Sequence, residues 1–420
     1  MPKTYVTILG KAVRAAARLR GGGSALPGLV VEKIDPAFIK DTLATLPHGV
    51  VVISGTNGKT TTTKMVVELL ESQGLKVFTN RTGSNFTRGV AAALLGEIDI
   101  HGVLTADIAV LELDEAHAVH FVKTIPPRFS LILNVMRDQL DRFGEIDTTT
   151  RLLQVIASAT TDTVVLNRED PRISQLKMTD QSSQFFGLAP DLLATFPSDD
   201  DLHASSKRLN TTVADVTLQA FDGTSATFRI GSKDITTRLK LNGIYNVFNA
   251  AAALSLVRAI LGDAVDNTKL VTALSQVTPA FGRGETILVK GHPVELVLVK
   301  NPSGFRLGLE SFPPMGYETM IAINDNYADG RDMSWLWDVS FESLKEHGVS
   351  TVAGIRAYDM ALRLQYDEVP FSDVIPSLKK ALEHFLSAVP DSPKRIYCTY
   401  TAMLTLRREL GKVAHVEVLG

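Results

Sequence analysis

A short glycine-containing loop between a strand and a helix most constrains the fold of this 420-residue chain. Residues 50–53 form a continuous β-branched run, the pattern of a buried parallel strand. After residue 59 the apolar side chains recur at helical spacing until Gly74, a residue typical of helix ends. The loop that joins the two elements reads Gly55, Thr56, Asn57, Gly58, Lys59 and Thr60. The sequence therefore predicts an α/β fold with a phosphate-binding loop (P-loop) at the end of a central strand.

The residue types in the P-loop suit the phosphates of a nucleotide. Glycines let backbone N–H groups turn toward an anion, and the start of the following helix adds positive potential. We expect Lys59 to reach the terminal phosphates and the Thr60 hydroxyl to bind magnesium. The longer spacing common in such loops is missing, because Ile53 occupies the place of its first glycine. The alternative is a chance Gly-Lys-Thr sequence in a surface turn.

Strand-like and helix-like segments alternate along most of the chain, which favours a doubly wound, mainly parallel sheet. The strand-like runs of the first part are 76–79, 108–113, 131–135 and 163–166. Shorter alternating runs over about 182–238 predict a small antiparallel insertion, without zinc-ribbon cysteines. The predicted domains are a helical leader (1–48), a central nucleotide-binding domain (49–288) and a C-terminal α/β domain (289–420).

Charge and cysteine content restrict the class of protein. The 43 basic and 46 acidic residues leave a formal net charge of −3, so we expect no nucleic-acid partner. A single cysteine, Cys398, allows neither an intrachain disulfide nor a thiolate zinc cluster, which favours a reducing, cytoplasmic location. Residues 1–19 are predicted to form an amphipathic helix, and no window elsewhere is expected to span a membrane.

Motifs after the P-loop occur in the order found in one family. Glu112 ends a strand-like run, and residues 134–141 read Asn-Val-Met-Arg-Asp-Gln-Leu-Asp. Together with the P-loop these segments resemble the Mur ligases and the folylpolyglutamate synthases. The resemblance implies that Glu112 binds magnesium. Gln139 stands where these ligases have a histidine, so an amide oxygen replaces an imidazole there.

Three further residues match the nucleotide site of the same family. Asn246 and Asn249 correspond to paired asparagines that flank the adenine, and helix capping is their alternative role. Arg283 corresponds to an arginine that approaches the terminal phosphate, for which the planar guanidinium is suited.

Within the family the chain resembles the MurT branch, the ligase subunits of lipid II isoglutaminyl synthase, over nearly its whole length. The stretches that carry this resemblance are 21–28, 137–144, 300–305 and 324–338. Gln139 is what this branch carries. Many relatives hold a four-cysteine zinc ribbon in the insertion, but this chain has no cysteine there, so no zinc is expected.

The resemblance implies a defined reaction. ATP with Mg²⁺ would phosphorylate the α-carboxylate of D-glutamate in the lipid II stem peptide, and ammonia would then convert it to D-isoglutamine. Lys59, Arg283 and magnesium would neutralise charge on the transferring phosphoryl group. The chain would pair with a glutaminase resembling GatD as a heterodimer, since Cys398 lies in an apolar run and is expected to be buried. The lipid-borne substrate implies transient contact with the inner face of the membrane.

The acidic stretch 325–338 is where the resemblance implies an aspartate that serves the partner's cysteine and histidine. Asp332 is the first candidate, with Asp329 and Asp325 behind it, and solvated loop carboxylates are the alternative. Trp335 and Trp337 either anchor a partner or fill the core of the C-terminal domain.

Two other functions fit parts of the sequence. A folate-type or amino-acid-adding ligase would carry histidine at position 139 and aspartate in place of Lys300. A nucleotide-gated binding protein would hydrolyse or exchange ATP without a carboxylate acceptor. His117 and His120 could form a metal pair on a helix, but their spacing is also that of an ordinary helical surface.

Overall fold

The computed structural model describes residues 3–19, 26–80, 87–137, 146–195, 212–223, 225–240, 244–278 and 283–416. The chain forms two compact units. The first comprises Met1–Val135, Asp147–Lys240 and Asn246–Val277, and the second comprises Met136–Ile146, Leu241–Tyr245 and Thr278–Gly420. The helices of the predicted leader belong to the first unit. The domain boundaries proposed after residues 48 and 288 stay predictions.

The first unit is built on a mainly parallel sheet. Its described strands are β1 Val50–Ser54, β2 Val77–Thr79, β3 Ile108–Glu112, β4 Phe129–Ile132, β5 Thr163–Asn167, β6 Ser182–Leu188, β7 Val216–Phe221, β8 Ser225–Ile230 and β9 Lys233–Arg238. They pair in the order β2-β3-β1-β4-β5-β6-β7-β8-β9. β1, β3 and β5 are buried along their whole length, which is why their sequences are nearly continuous apolar runs.

The strand order reverses at β1. From β1 the chain crosses to β2 and β3 on one side, and later to β4 and β5 on the other. Right-handed crossovers in opposite directions place their helices on opposite faces of the sheet. The prediction of a doubly wound sheet is therefore confirmed, and the carboxyl end of β1 is the switch point at which such sheets bind ligands.

The predicted insertion differs in one respect from expectation. β7, β8 and β9 form the antiparallel part, as predicted. However, β6 pairs in parallel with β5, and β7 in parallel with β6, so the prediction was wrong for Ser182–Leu188. β6 extends the parallel sheet because its partner β5 is already buried and offers a parallel edge. Residues 198–206 are polar and acidic in sequence, which predicts a loop, and they lie outside the described residues.

The helices around the first sheet carry the apolar periodicity of the sequence. Their bounds are Thr4–Leu19, Leu26–Ile34, Phe38–Leu43, Lys59–Ser72, Thr87–Glu97, Glu115–Thr124, Ile146–Ala159, Ile244–Leu261 and Asn267–Gln276, with 3-10 turns at Pro190–Thr195 and Gly262–Ala264. In Lys59–Ser72 the buried face includes Met65, Val66, Leu69 and Leu70, as the spacing predicts. Gly74, at φ 95°, follows its last turn.

One helix of the first unit is long and apolar enough to cross a membrane. The window Tyr245–Ala264 meets that criterion by length and composition alone, although it contains Arg258 and Asp263. Most of its side chains are buried, and the Phe248 ring lies 5.1 Å from that of Phe186 in β6. The apolar composition of Ile244–Leu261 therefore serves the protein core, since a helix that is apolar all round is one that is buried.

The second unit holds a separate sheet. Its strands are β10 Arg283–Val289, β11 His292–Leu298, β12 Glu318–Ala322, β13 Val349–Ala353, β14 Phe371–Ile375 and β15 Lys394–Cys398, in the order β10-β11-β15-β12-β13-β14. β10 and β11 form an antiparallel hairpin, and the remaining pairs are parallel. The helices are Pro302–Ser311, Ala357–Tyr366, Leu378–Ala388 and Tyr400–Leu410, with 3-10 turns at Ser334–Asp338 and Glu342–Leu344. A C-terminal α/β fold was predicted and is confirmed.

Two apolar clusters form the core of the second unit. Phe305 centres one of them, with its ring 5.0 Å from Phe341 and 5.6 Å from Tyr397. Asn301 starts the helix that carries Phe305, because its side chain accepts a hydrogen bond from Gly304 N at 2.7 Å. Residues 300–305 therefore have a local structural role, as a helix cap followed by a core anchor.

Candidate active site

The P-loop follows β1 directly, at the carboxyl end of the strand. Gly55 has φ 134° and Gly58 has φ 88°, backbone angles that residues with a Cβ rarely adopt. A Cβ on Gly55 would lie 3.0 Å from the backbone N and O of Asn134, and one on Gly58 would lie 2.7 Å from Asn249 Oδ1. Both glycines are thus required by conformation and by close approach, as expected for a loop that turns its amides toward a ligand.

Asn134 fixes the shape of the loop. Its Oδ1 accepts a hydrogen bond from Asn57 N at 2.9 Å, and its Nδ2 donates to Asn57 O at 3.0 Å. Thr56 N donates to the backbone oxygen of Asn134 at 3.0 Å. Asn134, two residues after β4, therefore holds two successive P-loop residues, Thr56 and Asn57, a role that the sequence motif at 134–141 did not by itself reveal.

The end of β4 is held in turn by residues 167–170. Asn167 Nδ2 donates to Leu133 O at 2.8 Å, and Asp170 Oδ2 accepts from Val135 N at 2.7 Å. Asp170 and Asn167 are buried. These bonds fix the backbone of Leu133 and Val135, the two neighbours of Asn134, and so hold Asn134 against the P-loop.

Lys59 begins the helix and points back along the loop. Its Nζ donates to Gly55 O at 2.6 Å and lies 3.2 Å from Glu115 Oε2. The side chains of Lys59 and Glu115 are only 7% and 2% exposed. Sequence reasoning missed Glu115, although a second carboxylate three residues after Glu112 was a visible signal. The ammonium group therefore sits at the P-loop in a buried ion pair.

Thr60 and Glu112 meet beside the loop, as the sequence motifs predict. Thr60 Oγ1 donates to Glu112 Oε1 at 2.9 Å. Asn80, at the end of β2, fixes the backbone of Glu112, because its Nδ2 donates to Glu112 O at 2.8 Å and its Oδ1 accepts from Glu112 N at 3.0 Å. A hydroxyl and a carboxylate within hydrogen-bond distance form the oxygen donor set that Mg²⁺ prefers.

The structure describes only some of the remaining residues that were predicted to bind the nucleotide. Asn246 and Asn249 lie inside the helix Ile244–Leu261, so the alternative of N-capping does not apply to them. Both asparagines are half-buried, and Asn249 lies against Gly58. Arg283 begins β10 in the second unit, and its side chain and Gln139 lie outside the described residues.

The histidine pair has an ordinary explanation. His117 Nδ1 lies 3.4 Å from Asp114 Oδ1, and His120 is exposed. Within the described ranges no group of three His, Cys, Asp or Glu side chains could hold a metal ion. The interpretation of a helical surface is therefore the one that the geometry favours.

In the second unit the acidic stretch separates into three different environments. Asp325 pairs with Arg356, whose Nη2 lies 2.7 Å from Asp325 Oδ2. Asp329 is buried, and its two oxygens accept hydrogen bonds from Thr401 N at 2.7 Å and Thr401 Oγ1 at 2.5 Å. Burial raises the pKa of Asp329 above its ordinary value, against these hydrogen bonds, which lower it.

Asp332 is the least constrained of the three. It is half-buried, and its Oδ1 accepts a hydrogen bond from Ser334 N at 2.9 Å, a local turn contact. Asp329 ties the loop to the start of the helix Tyr400–Leu410, and Asp325 is held by a guanidinium. A second chain could therefore reach Asp332 more readily than the other two.

The two tryptophans have separate roles. They lie in the 3-10 turn Ser334–Asp338, so their spacing of two does not place both rings on one face of a strand. Trp335 is buried, with its ring 6.3 Å from Phe305, whereas Trp337 is 50% exposed. Consecutive 3-10 residues point in different directions, which places one ring in the core and the other at the surface.

Cys398 is buried at the end of β15, as predicted. Its Sγ lies 3.9 Å from Val297 O. Burial raises the pKa of the thiol, so the reactive thiolate is disfavoured. Because this is the only cysteine of the sequence, the chain lacks the activated thiol of a cysteine-type glutaminase.

Comparison with known proteins gives two family matches. A model described as "Mur ligase middle domain" matches residues 53–257, and one described as "MurT ligase C-terminal" matches residues 298–403. The first covers the P-loop and Glu112, and the second covers the acidic stretch of the second unit.

Individual relatives agree with these matches. The chain is 30% identical to the lipid II isoglutaminyl synthase (glutamine-hydrolyzing) subunit MurT of Streptococcus pneumoniae, over 93% of each chain. It is 27% identical to the same subunit of Staphylococcus aureus, over 96% of this chain and 97% of that one. Among solved structures, MurF ligase from Thermotoga maritima in complex with ADP superposes with a TM-score of 0.66 at 19% identity, covering 90% of this chain and 84% of that chain. The last similarity concerns the fold alone.

Proposed function

The chain belongs to the Mur ligase family, in its MurT branch, and from this membership we propose that it is the ATP-dependent ligase subunit of a two-chain amidotransferase acting on lipid II. The observation that supports this activity most directly is the P-loop, in which Lys59 and Thr60 each contact a carboxylate of segment 112–115. Such a site binds a nucleoside triphosphate and prepares its terminal phosphoryl group for transfer.

The proposed reaction has two steps. An oxygen of the D-glutamate α-carboxylate attacks the γ-phosphorus of ATP, the bond to the bridging oxygen breaks, and ADP leaves. Ammonia then attacks the carbonyl carbon of the acyl phosphate, inorganic phosphate leaves, and loss of a proton gives the carboxamide. The chain must therefore stabilise charge in the first step and keep water from the acyl phosphate in the second.

Residues of the P-loop supply the charge stabilisation. Amides turned by Gly55 and Gly58 face the phosphates, and Lys59 exchanges its contact with Glu115 for one with a phosphate oxygen. Thr60 and Glu112 would hold Mg²⁺, which would supply positive charge to neutralise the phosphates. We propose that Arg283 adds a second cation at the terminal phosphate, and that Asn246 and Asn249 flank the adenine.

Ammonia must come from another protein. Free ammonia is scarce near neutral pH, because most of it is ammonium, and the chain has only the buried Cys398 as a thiol. We therefore propose a heterodimer with a GatD-like glutaminase, in the cytoplasm. The Streptococcus relative is named as a subunit of a glutamine-hydrolyzing synthase, which supports this inference.

Asp332 is the aspartate that we propose to face the partner. An aspartate that orients a histidine in another chain must present a free carboxylate oxygen at the surface. Asp332 uses Oδ1 in a local turn, whereas both oxygens of Asp329 are bound to Thr401 within the second unit. In this proposal Asp329 positions the loop, and Asp332 acts across the interface.

An exposed aromatic surface lies next to this loop. Trp337 packs edge-on against Tyr366, with ring centroids 5.4 Å apart. Tyr358, Leu362 and Tyr366 recur at a spacing of four on the helix Ala357–Tyr366, and all are more than half exposed. Aromatic anchors of this kind are typical of interface centres. We propose that the glutaminase docks on this aromatic surface, made of Trp337, Tyr358, Leu362 and Tyr366.

The test combines the full chain and a co-purified GatD-like glutaminase with lipid II, ATP, Mg²⁺ and glutamine. Mass spectrometry follows conversion of the carboxylate to the carboxamide, and ammonium chloride replaces glutamine in a parallel reaction. We expect product from both nitrogen sources. The double variant Lys59→Ala/Glu115→Gln should lose about 100-fold or more of the rate, with Glu115→Gln as its matched control. ATP hydrolysis without any carboxamide would contradict the proposal and favour a nucleotide-gated protein.

A further inference from the structure

The helix Thr4–Leu19 shows two different apolar faces. One face packs within the first unit, where Val6, Gly10 and Ala17 are buried. Gly10 permits this packing, because a Cβ there would lie 2.6 Å from methyl groups of both Leu95 and Val31. The helix is therefore anchored along one side by close contact with its neighbours.

The opposite side of the helix is an apolar stripe open to solvent. Tyr5, Ile8, Leu9 and Leu19 are 60%, 55%, 44% and 90% exposed. The positions between them are exposed alanines, at 12, 15 and 16. These residues recur at spacings of three and four, so they share one face of the helix. A soluble surface helix normally presents polar side chains on this side.

The helix that carries the stripe has charges of one sign only. The helix and the residue before it contain Lys3, Lys11, Arg14 and Arg18 and no acidic residue, although the whole chain carries a formal net charge of −3. Lys11 follows Ile8 at a spacing of three and lies along one edge of the stripe. Its Nζ donates to the carbonyl oxygen of Leu95 at 3.1 Å, a neutral group that does not compensate the positive charge.

We propose that this stripe binds the surface of an anionic membrane. Apolar side chains of moderate size, on a helix that has basic but no acidic residues and has Lys11 along one edge of the stripe, match the acyl boundary and the charged headgroups of such a surface. A protein partner without an excess of acidic groups would gain no binding energy from a helix that has basic but no acidic residues. The membrane binding is argued from the helix alone, and only its biological purpose rests on the proposed function. A lipid-borne substrate would then meet its enzyme at the membrane surface.

The experiment uses the full chain and vesicles that contain no lipid II, so its outcome is independent of the ligase reaction. Sedimentation compares phosphatidylcholine vesicles with vesicles that also contain about 30% phosphatidylglycerol. We expect binding to the anionic vesicles, weakened by salt. Ile8→Glu/Leu9→Glu should reduce the partition coefficient about tenfold or more, and Lys3→Gln about fivefold.

The control substitution is Met315→Glu, at an exposed apolar residue of the second unit. It should leave vesicle binding unchanged, and circular dichroism should show equal helix content in all variants. Equal binding of the parent and Ile8→Glu/Leu9→Glu would overturn the proposal. So would a parent that is dimeric by light scattering, fails to bind vesicles and becomes monomeric in that variant, because the stripe would then be a contact between two copies.

Discussion

Lys59 Nζ lies 3.2 Å from Glu115 Oε2, and both side chains are almost wholly buried beside the P-loop. A buried ion pair of this kind contributes little net stability, but loss of one partner leaves a charge without compensation. Glu115 thus balances the lysine when no phosphate is present. The ion pair with Glu115 holds the ammonium group of Lys59 beside the P-loop. A bound nucleotide must therefore compete with this carboxylate for the ammonium group.

Removal of Lys59 should therefore affect folding as well as nucleotide binding. Lys59→Ala leaves Glu115 buried and unpaired, and we expect the free energy of unfolding to fall by about 3 to 5 kcal/mol. In Lys59→Ala/Glu115→Gln the stability should largely return, while the affinity for ATP stays low. Chemical denaturation and calorimetric titration measure the two quantities. Equal stability of the single and double variants would show that the pair is not coupled.

The close approach of Gly58 to Asn249 gives a second prediction. Gly58→Ala combines a strained backbone with a contact of 2.7 Å to Asn249 Oδ1, so the loop must shift. We expect ATP affinity to fall by about tenfold or more. Gly74→Ala is a matched control, because Gly74 has a similar φ of 95° and nothing within 4 Å of the added Cβ. It should lower stability without altering the nucleotide affinity, and an equal effect of both substitutions would exclude the proposed role of the contact.

The contact between Thr60 and Glu112 predicts a magnesium requirement. Glu112→Gln keeps the shape of the side chain and its bond to Thr60 but removes the negative charge. The Mg²⁺ concentration that supports half-maximal ATP hydrolysis should rise by about tenfold or more. Asn80→Ala, which frees the backbone of Glu112 without removing a carboxylate, should give a smaller increase. An unchanged Mg²⁺ dependence in Glu112→Gln would place the metal elsewhere.

The local part of the nucleotide site could be predicted from the sequence, because a strand, a glycine turn and a helix are defined by neighbouring residues. Lys59, Thr60 and Glu112 come together as the motifs indicated. Glu115 and the two-way bond of Asn134 could not be predicted in the same way. Their roles depend on how the ends of β3 and β4 meet the loop in space.

The acidic stretch 325–338 shows more clearly that local sequence does not by itself define the role of a residue. Asp329 and Asp332 lie in one acidic stretch, but Thr401, 72 residues after Asp329, binds both oxygens of Asp329. Asp332 is half-buried and makes only a local turn contact with Ser334. The parallel pairing of β6 with β5 and β7 likewise joins segments that are separated in sequence. Long-range pairing, more than local propensity, accounts for these differences.

The aromatic surface of the second unit predicts the position of the partner. Leu362→Glu/Tyr366→Glu introduces two charges into a patch that we expect to be desolvated on binding. The affinity for the glutaminase, measured by biolayer interferometry, should fall by about tenfold or more. Nucleotide affinity should not change, and Met315→Glu, at another exposed apolar residue, should have no effect on either quantity. Undiminished partner binding in the double variant would exclude this surface.

The raised pKa of Asp329 gives a pH-dependent prediction. Because burial raises the pKa above its ordinary value of 3.8, the folded chain keeps a proton that the unfolded chain has already lost. The stabilisation from this proton is complete below pH 3.8 and is lost as the pH rises through the folded-state pKa. Asp329→Asn has no such proton and loses an acceptor for Thr401 or Asn326. Urea denaturation from about pH 4 to 7 should therefore show a destabilisation that is largest at low pH and shrinks as the pH rises, whereas growth of the difference with pH would mean that the folded-state pKa is lowered.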